Sequence, residues 1–383
     1  MYEPSGRNFP NLVFLWPAFV AAAVSEFAGL AGKQFASFAI GREGPTSREQ
    51  KWATPHTIAL ELKTVRLRDF STEVSGPPTL LCAPFALHGA AVADFAPGHS
   101  LVAALRRAGM HRLFVTDWRS ATADMRLLGI DQYLADVNVL VDEIDSPVDL
   151  IGLCQGGWMA LVYAARFPAK VRTLVLAGAP VDLRAAPSAL SELADVSPLA
   201  VFQELVRIGD GVVPGRKVMK FWGTELVETE DAWRVLQTGE TIGSAGFSRL
   251  EAQFRDWYAW TIDLPGTFFL EVVEKLYKRN ELATGSFVAL GKQIELANVQ
   301  APIFLLAARD DELVAPPQLF AAERLVGTQP RNLRRAIVPG RHLGLFMGKT
   351  VLEEVWPKIV RWIGESEFTS PRDVEVHVKE GVH

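Results

Sequence analysis

Residues 148–157 read Val-Asp-Leu-Ile-Gly-Leu-Cys-Gln-Gly-Gly, an apolar run with the character of a buried strand that passes through Gly152-Leu153-Cys154-Gln155-Gly156 into a helical pattern beginning at Trp158. A thiol placed at a sharp strand-to-helix turn can serve as a nucleophile. The turn lifts the side chain above the sheet, and the adjoining helix N-terminus favours thiolate over thiol. Such a turn crowds its own backbone, so the residues two before and two after the nucleophile must be small, a demand that Gly152 and Gly156 meet. The other cysteine, Cys82, lies in an apolar strand pattern and is expected to pack in the core.

A cysteine nucleophile needs a base, and the base needs a group to orient it. Of the seven histidines, His56, His88, His99 and His111 precede the turn, and His377 and His383 lie at the end of the chain. His342 remains, following the strand pattern Ala336-Ile337-Val338 and set between Gly340 and Gly344. The strand pattern of residues 303–308 leads into Arg309-Asp310-Asp311-Glu312-Leu313-Val314, which puts carboxylates at a strand end. Asp311 is preferred as the orienting acid because Leu313-Val314 and then a proline follow it, with Asp310 as the alternative. The order Cys, Asp, His is that of an α/β-hydrolase. Together the three groups would form an acyl-cysteine from an ester or thioester. The Gln155 N–H is expected as one oxyanion donor, with a second from Phe85 or Ala86 in the loop after the Leu80–Pro84 strand.

The elements that must hold these groups alternate strand and helix, which predicts an α/β fold with a mostly parallel central sheet covered on both faces. Residues 58–67 predict an early antiparallel pair; strands follow over 78–85, 112–118, 148–153 and 171–179, with helices over 101–108, 131–144 and 158–167. After Asp182 the rhythm breaks into a helical, aromatic-rich stretch containing Trp222, Trp233, Trp257 and Trp260, expected as a lid inserted after the sixth strand. Strands over 302–308 and 333–338 and helices over 319–325 and 351–363 complete the pattern. The expected organisation is therefore an N-terminal segment (1–50), a first core part (51–183), a helical lid (184–299), a second core part (300–365) and a polar tail (366–383).

With 383 residues, 49% of them apolar and 22% charged, the chain can bury one large core plus an insertion. A net charge of −5 without a Lys/Arg run supplies no field for phosphate backbones, so nucleic acid is not an expected partner. Two cysteines make no disulfide framework, which points to a reducing cytoplasm. No metal-ligand pattern emerges, and no cofactor is expected. Residues 9–25 are uncharged but contain Pro17, follow the acidic Glu3 and meet Glu26 too early for a comfortable span, so neither a signal peptide nor a transmembrane helix is expected. From Phe19 the apolar positions Val20, Ala23, Val24, Phe27, Leu30, Ala31, Phe35 and Phe38 describe an amphipathic helix, either packed on the catalytic part or attached to an apolar surface such as a lipid or polymer granule.

Over about residues 78–363 the chain resembles the polyhydroxyalkanoate synthase family, most closely its short-subunit type. The resemblance rests on Gly152-Leu153-Cys154-Gln155-Gly156-Gly157 as the family's Gly-x-Cys-x-Gly-Gly box, supported in order by residues 94–102, Val115-Thr116-Asp117-Trp118, residues 165–171 and Ala179-Pro180-Val181-Asp182. It implies that Cys154 is charged by a 3-hydroxyacyl-coenzyme A, that His342 activates it, and that Asp311 helps activate the substrate hydroxyl for chain growth. Coenzyme A enters only as part of a substrate. A granule surface, a homodimer and an accessory subunit stay open as partners.

Several features depart from the family pattern. The loop Phe85-Ala86-Leu87-His88-Gly89 replaces an Asn-Lys/Arg-rich and tyrosine-rich segment of the synthases and resembles intracellular polyhydroxyalkanoate depolymerases better. Trp158 stands where a threonine often follows the double glycine, and Arg341 separates a usual Gly-His pair. His88, Trp158, Trp257 and Trp260 are the expected substrate contacts. Two activities remain in view: acyl transfer to a growing polyester, and hydrolysis of a polyester or thioester. A non-catalytic granule-surface protein is the third reading.

Overall fold

The computed structural model describes residues 51–221 and 229–366. The expected amphipathic helix, Trp222 and residues 367–383 of the expected tail lie outside the described residues. Eight strands build the main sheet: β1 (Thr57–Glu61), β2 (Val65–Asp69), β3 (Thr79–Cys82), β4 (Leu113–Trp118), β5 (Val148–Leu153), β6 (Val171–Ala177), β7 (Ile303–Ala308) and β8 (Leu333–Val338). Their order is β1-β2-β4-β3-β5-β6-β7-β8. β2 pairs antiparallel with β1 and β4, and every pairing from β4 to β8 is parallel.

Parallel strands joined by helical crossovers are buried on both faces, so their residues read as unbroken apolar runs. β5 is buried throughout. Successive residues send side chains to opposite faces. Leu150, Leu174, Leu176 and Leu305 enter the core on one face, whereas Ile151, Val175, Ala177 and Leu306 enter the core on the other. Asp149 is the polar exception on β5; Arg172 and Thr173 of the neighbouring strand bond its two oxygens. Burial pushes its carboxyl above the ordinary value, with both partners opposing the shift.

The helices needed to place the site are α1 (Leu101–Arg107), α2 (Ile130–Glu143), α3 (Gln155–Arg166), α4 (Ala189–Val196), α5 (Leu199–Ile208), α6 (Thr229–Leu236), α7 (Ala245–Ala259), α8 (Gly266–Glu271) and α9 (Trp356–Glu365). The stretch between β6 and β7 is helical for the most part, as expected, and differs in two respects. It contains short strand pairs, Val212–Val213 with Leu264–Pro265 and Val288–Ala289 with Lys292–Gln293. It also contains a π-helical turn over Val272–Lys278, continuous with α8. The single helix expected over 351–363 is broken into Lys349–Glu354 and α9. Pro357 has no N–H to donate and its ring clashes with the carbonyl four residues earlier, which ends one helix and suits the first turn of the next.

Candidate active site

The turn between β5 and α3 has the shape expected of it. Cys154 adopts φ 48°, ψ −119°, a region L-residues avoid. Its N–H donates to Ala177 O (2.9 Å), and its carbonyl accepts from Gly157 N (2.8 Å). Backbone bonds on both sides thus hold the strained residue in place. The glycines are required by close approach: a Cβ on Gly152 would meet Gly157 Cα at 2.5 Å, one on Gly157 would meet Ala179 Cβ, and one on Gly156 would meet the Cys82 and Ala83 carbonyls, the latter at 2.5 Å. Backbone oxygens of a central strand exit cannot step aside. Gly156→Ala is therefore expected to destabilise the fold by about 3 kcal/mol or more. Gly364→Ala, in open space within α9, should gain up to about 1 kcal/mol, and urea midpoints measured side by side check both.

The loop leaving β3 is pinned by the residues of the Val115–Trp118 landmark. Ala83 N donates to Thr116 Oγ1 (2.9 Å), and Trp118 Nε1 donates to Ala83 O (2.9 Å). Phe85 buries its ring against Tyr133, Phe268 and Trp118 at 4.5, 4.8 and 5.6 Å between centroids. Its side chain thus anchors the loop whose N–H groups are the second oxyanion candidates. Gln155 opens α3 and accepts a bond from Trp158 Nε1 on its Oε1 (2.8 Å). Trp158 does not face open space as expected of a substrate contact. It is 0% exposed and packs on Phe268 and Phe287, because its place on the inner face of α3 points into the core. His88, Trp257 and Trp260 are brought together: the His88 ring lies 4.8 Å from Trp257 and 4.7 Å from Tyr258, with Nδ1 3.3 Å from Trp260 O. Burial lowers the His88 pKa to about 4, against the pull of the Trp260 carbonyl, so the ring is neutral near pH 7.

Asp311 and His342 meet at the carboxyl ends of adjacent parallel strands, β7 and β8. His342 Nδ1 donates to Asp311 Oδ2 at 2.7 Å; the two residues are 2% and 7% exposed. The other oxygen of Asp311 accepts the Leu313 and Val314 N–H groups, each at 2.9 Å, so the carboxylate is aimed by its own turn. Asp310 points elsewhere, exposed and beside Gly340 N at 3.4 Å. Burial alone would lower the His342 pKa, but the Asp311 carboxylate and the nearby Cys154 outweigh it and hold the ring well above its ordinary value. Nε2 is buried, and Cys154 raises the ring's pKa both by its charge and by side-chain hydrogen bonding. Gly178, at φ 57° after β6, leaves room for the imidazole: a Cβ there would stand 2.9 Å from His342 Cε1. Arg341, the residue inserted between Gly340 and His342, reaches Asp231 of α6 at 2.7 Å and ties the histidine loop to the helical insertion.

Tyr277 was not among the sequence candidates. Its hydroxyl lies beside the Gln155 side chain and within the field of Cys154, in a setting where burial pushes its pKa upward, Cys154 adds to the rise and Gln155 opposes it. The residue sits on the π-helical turn, which carries one more residue per turn than an α-helix. No signal in the sequence pointed to it; just beyond the turn, Asn280 Nδ2 donates to Asp182 Oδ1 at 2.8 Å. Among the described residues no group of three or more His, Cys, Asp or Glu side chains could hold a metal ion, and no helix is long and apolar enough to cross a membrane.

The chain is similar to known proteins in sequence and in fold. Residues 225–367 match the family described as PHB de-polymerase C-terminus. The depolymerase likeness thus falls on the insertion and second core part, away from the loop at Phe85 in which the sequence suggested it. The poly(3-hydroxyalkanoate) polymerase subunit PhaC of Synechocystis sp. is 27% identical over 296 residues, covering 72% of this chain and 74% of its own. The same-named protein of Allochromatium vinosum is 26% identical over 271 residues, covering 66% and 71%. The fold matches the crystal structure of the monoacylglycerol lipase of Paleococcus ferrophilus with TM-score 0.50 and 15% identity, over 78% of this chain and 98% of that one. The resemblance to polyhydroxyalkanoate synthases is borne out, and the fold is that of the α/β-hydrolases.

Proposed function

We propose that this enzyme is a polyhydroxyalkanoate synthase-like acyltransferase that works through an acyl-cysteine on Cys154. The observation that carries the reading is a strained cysteine at the β5–α3 turn facing a buried His342–Asp311 pair. His342 Nε2 takes the Cys154 proton and Sγ attacks the thioester carbonyl; the tetrahedral oxyanion is received by the N–H of Gln155 and a donor from the Phe85 loop. Collapse expels coenzyme A as its thiol, with the proton returned from His342. A hydroxyl of 3-hydroxyacyl substrate or polyester then attacks the acyl-cysteine, giving its proton to His342 and freeing the thiol. Asp311 fixes the imidazole tautomer throughout. Sulfur suits this role because exchange between thioester and cysteine is nearly balanced in energy. The names of the similar polymerase subunits support a polyester or acyl-thioester substrate, and the word subunit in them supports a second chain or a further copy in the active assembly.

Hydrolysis is the second reading, favoured by the match of residues 225–367 to a depolymerase family. The same acyl-cysteine then reacts with water. Purified protein incubated separately with 3-hydroxybutyryl-coenzyme A and with amorphous polyester distinguishes the two. Polymer growth with coenzyme A release is the expected result; soluble 3-hydroxy acid without growth would assign the chain to hydrolysis instead.

A further inference from the structure

The loop that carries His342 is gripped from two sides. On the sheet side Asp310 N donates to Gly340 O at 3.0 Å. On the other side stands the end of α6, where Asp231 Oδ1 accepts from Arg341 Nη1 at 2.7 Å and Gln237 Nε2, one residue past the helix, donates to Pro339 O at 3.2 Å. The loop is shaped to receive that amide. A Cβ on Gly340 would collide with Gln237 Nε2, and one on Gly348 would stand 2.9 Å from Gln237 Oε1. Gln237 itself adopts φ 48°, in the left-handed region that ends a helix abruptly.

The contacts of α6 extend further. Val235 and Leu236 share one buried core with Phe254 and Trp257 of α7 and with Leu345 and Phe346, which follow the histidine. Just past α7, Ile262 N donates to Leu87 O at 2.9 Å and Trp260 O lies 3.3 Å from His88 Nδ1, so the same packed pair of helices also holds the loop expected to supply the second oxyanion donor. The bond to Asp311 fixes the tautomer and turn of the imidazole. How far the ring stands from Cys154 depends on where its loop sits, and proton transfer needs hydrogen-bond reach. We propose that α6 and α7 set that distance, with Arg341, Asp231 and Gln237 as positioning residues for His342. The inference rests on the acyl-cysteine reading above and adds the control of its base: the seating of the insertion governs the base loop and the oxyanion loop together, so acyl transfer is tied to it.

The Arg341 and Asp231 side chains are 35% and 38% exposed, and an ion pair that open adds little to stability. Exchanging it should spare the fold, so a change in rate reports on position. The test uses the full chain with 3-hydroxybutyryl-coenzyme A for kcat and KM, and follows the rate at which iodoacetamide alkylates Cys154 across pH. Arg341→Asp and Asp231→Arg alone should each lower kcat by about tenfold with KM within about twofold, the cost of a base displaced by a fraction of an ångström, and should slow alkylation near neutral pH by a similar factor. The double exchange, which restores the pair with its charges reversed, should bring both quantities back to within about threefold of wild type. Gln237→Ala, which deletes the second contact without altering charge, should lower both in the same sense. Single variants with unchanged kcat, a loss that the double exchange does not recover, or a fall in kcat with Cys154 alkylation unaltered would each overturn the inference. Alkylation of Cys154 that responds to His342→Ala but to none of these variants overturns this inference alone. Alkylation indifferent to His342→Ala overturns the acyl-cysteine reading and the inference with it.

Discussion

Replacing Cys154 by alanine removes acyl transfer and hydrolysis together, a fall of about 10⁴-fold or more in kcat, as for loss of the nucleophile in a triad that acts as a unit. Replacing Cys82 leaves kcat/KM within about threefold. The contrast follows from where each thiol sits. Cys82 is buried on β3, and burial pushes its pKa up to about 12, with the Thr116 hydroxyl only partly opposing the rise. At neutral pH it is a small apolar group, closed to reagents. Cys154 is partly exposed at a helix N-terminus, held at positive φ with its side chain off the sheet. Treatment with iodoacetamide should therefore label residue 154 and spare residue 82 in the folded enzyme, with loss of activity tracking the single label by mass spectrometry. Normal turnover in the Cys154→Ala protein, or inactivation that tracks Cys82 instead, would remove the mechanism proposed here.

The sheet was legible because parallel strands covered on both faces leave no alternation to misread: residues 148–153 and 303–308 are apolar runs and became β5 and β7. The site residues were legible for a related reason. In this fold chemistry gathers at the carboxyl ends of such strands, so a cysteine, a carboxylate and a histidine each following one were candidates by position. The order of events along the chain could not separate Asp310 from Asp311. Consecutive residues of a turn differ in direction, and direction here is set by the Leu313 and Val314 N–H groups that capture the Asp311 carboxylate. The π-helical turn was not legible, because one inserted residue leaves an apolar pattern close to that of an ordinary helix while changing which side chains share a face. Trp158 misled for the opposite reason. It stood where the family often carries a threonine and was expected to contact substrate, but a helix carries its fourth residue round to the core side.

Substituting Asp311 by asparagine should lower kcat/KM by about 10³- to 10⁴-fold, the cost of releasing the wrong imidazole tautomer in a triad. Asp310→Asn should change it by less than about threefold. Both variants remove one negative charge from the same loop, so a general field effect would move them alike, and only the direct bond from His342 Nδ1 to Asp311 Oδ2 separates them. A second readout follows from ionisation. His342 is held well above its ordinary pKa because Asp311 and Cys154 outweigh burial; with Asp311 neutralised, burial gains weight and the ring should lose its proton at lower pH. The stability owed to the protonated ring is full below the unfolded value of about 6.5 and is lost as pH rises through the raised folded value. The gap in melting temperature between wild type and Asp311→Asn is thus expected to be widest in mild acid and to narrow toward alkaline pH, with the His342 ring proton followed by NMR titration in parallel. Equal losses in the two asparagine variants, with an unshifted His342 titration in each, would show that the carboxylate at 311 does not orient the base.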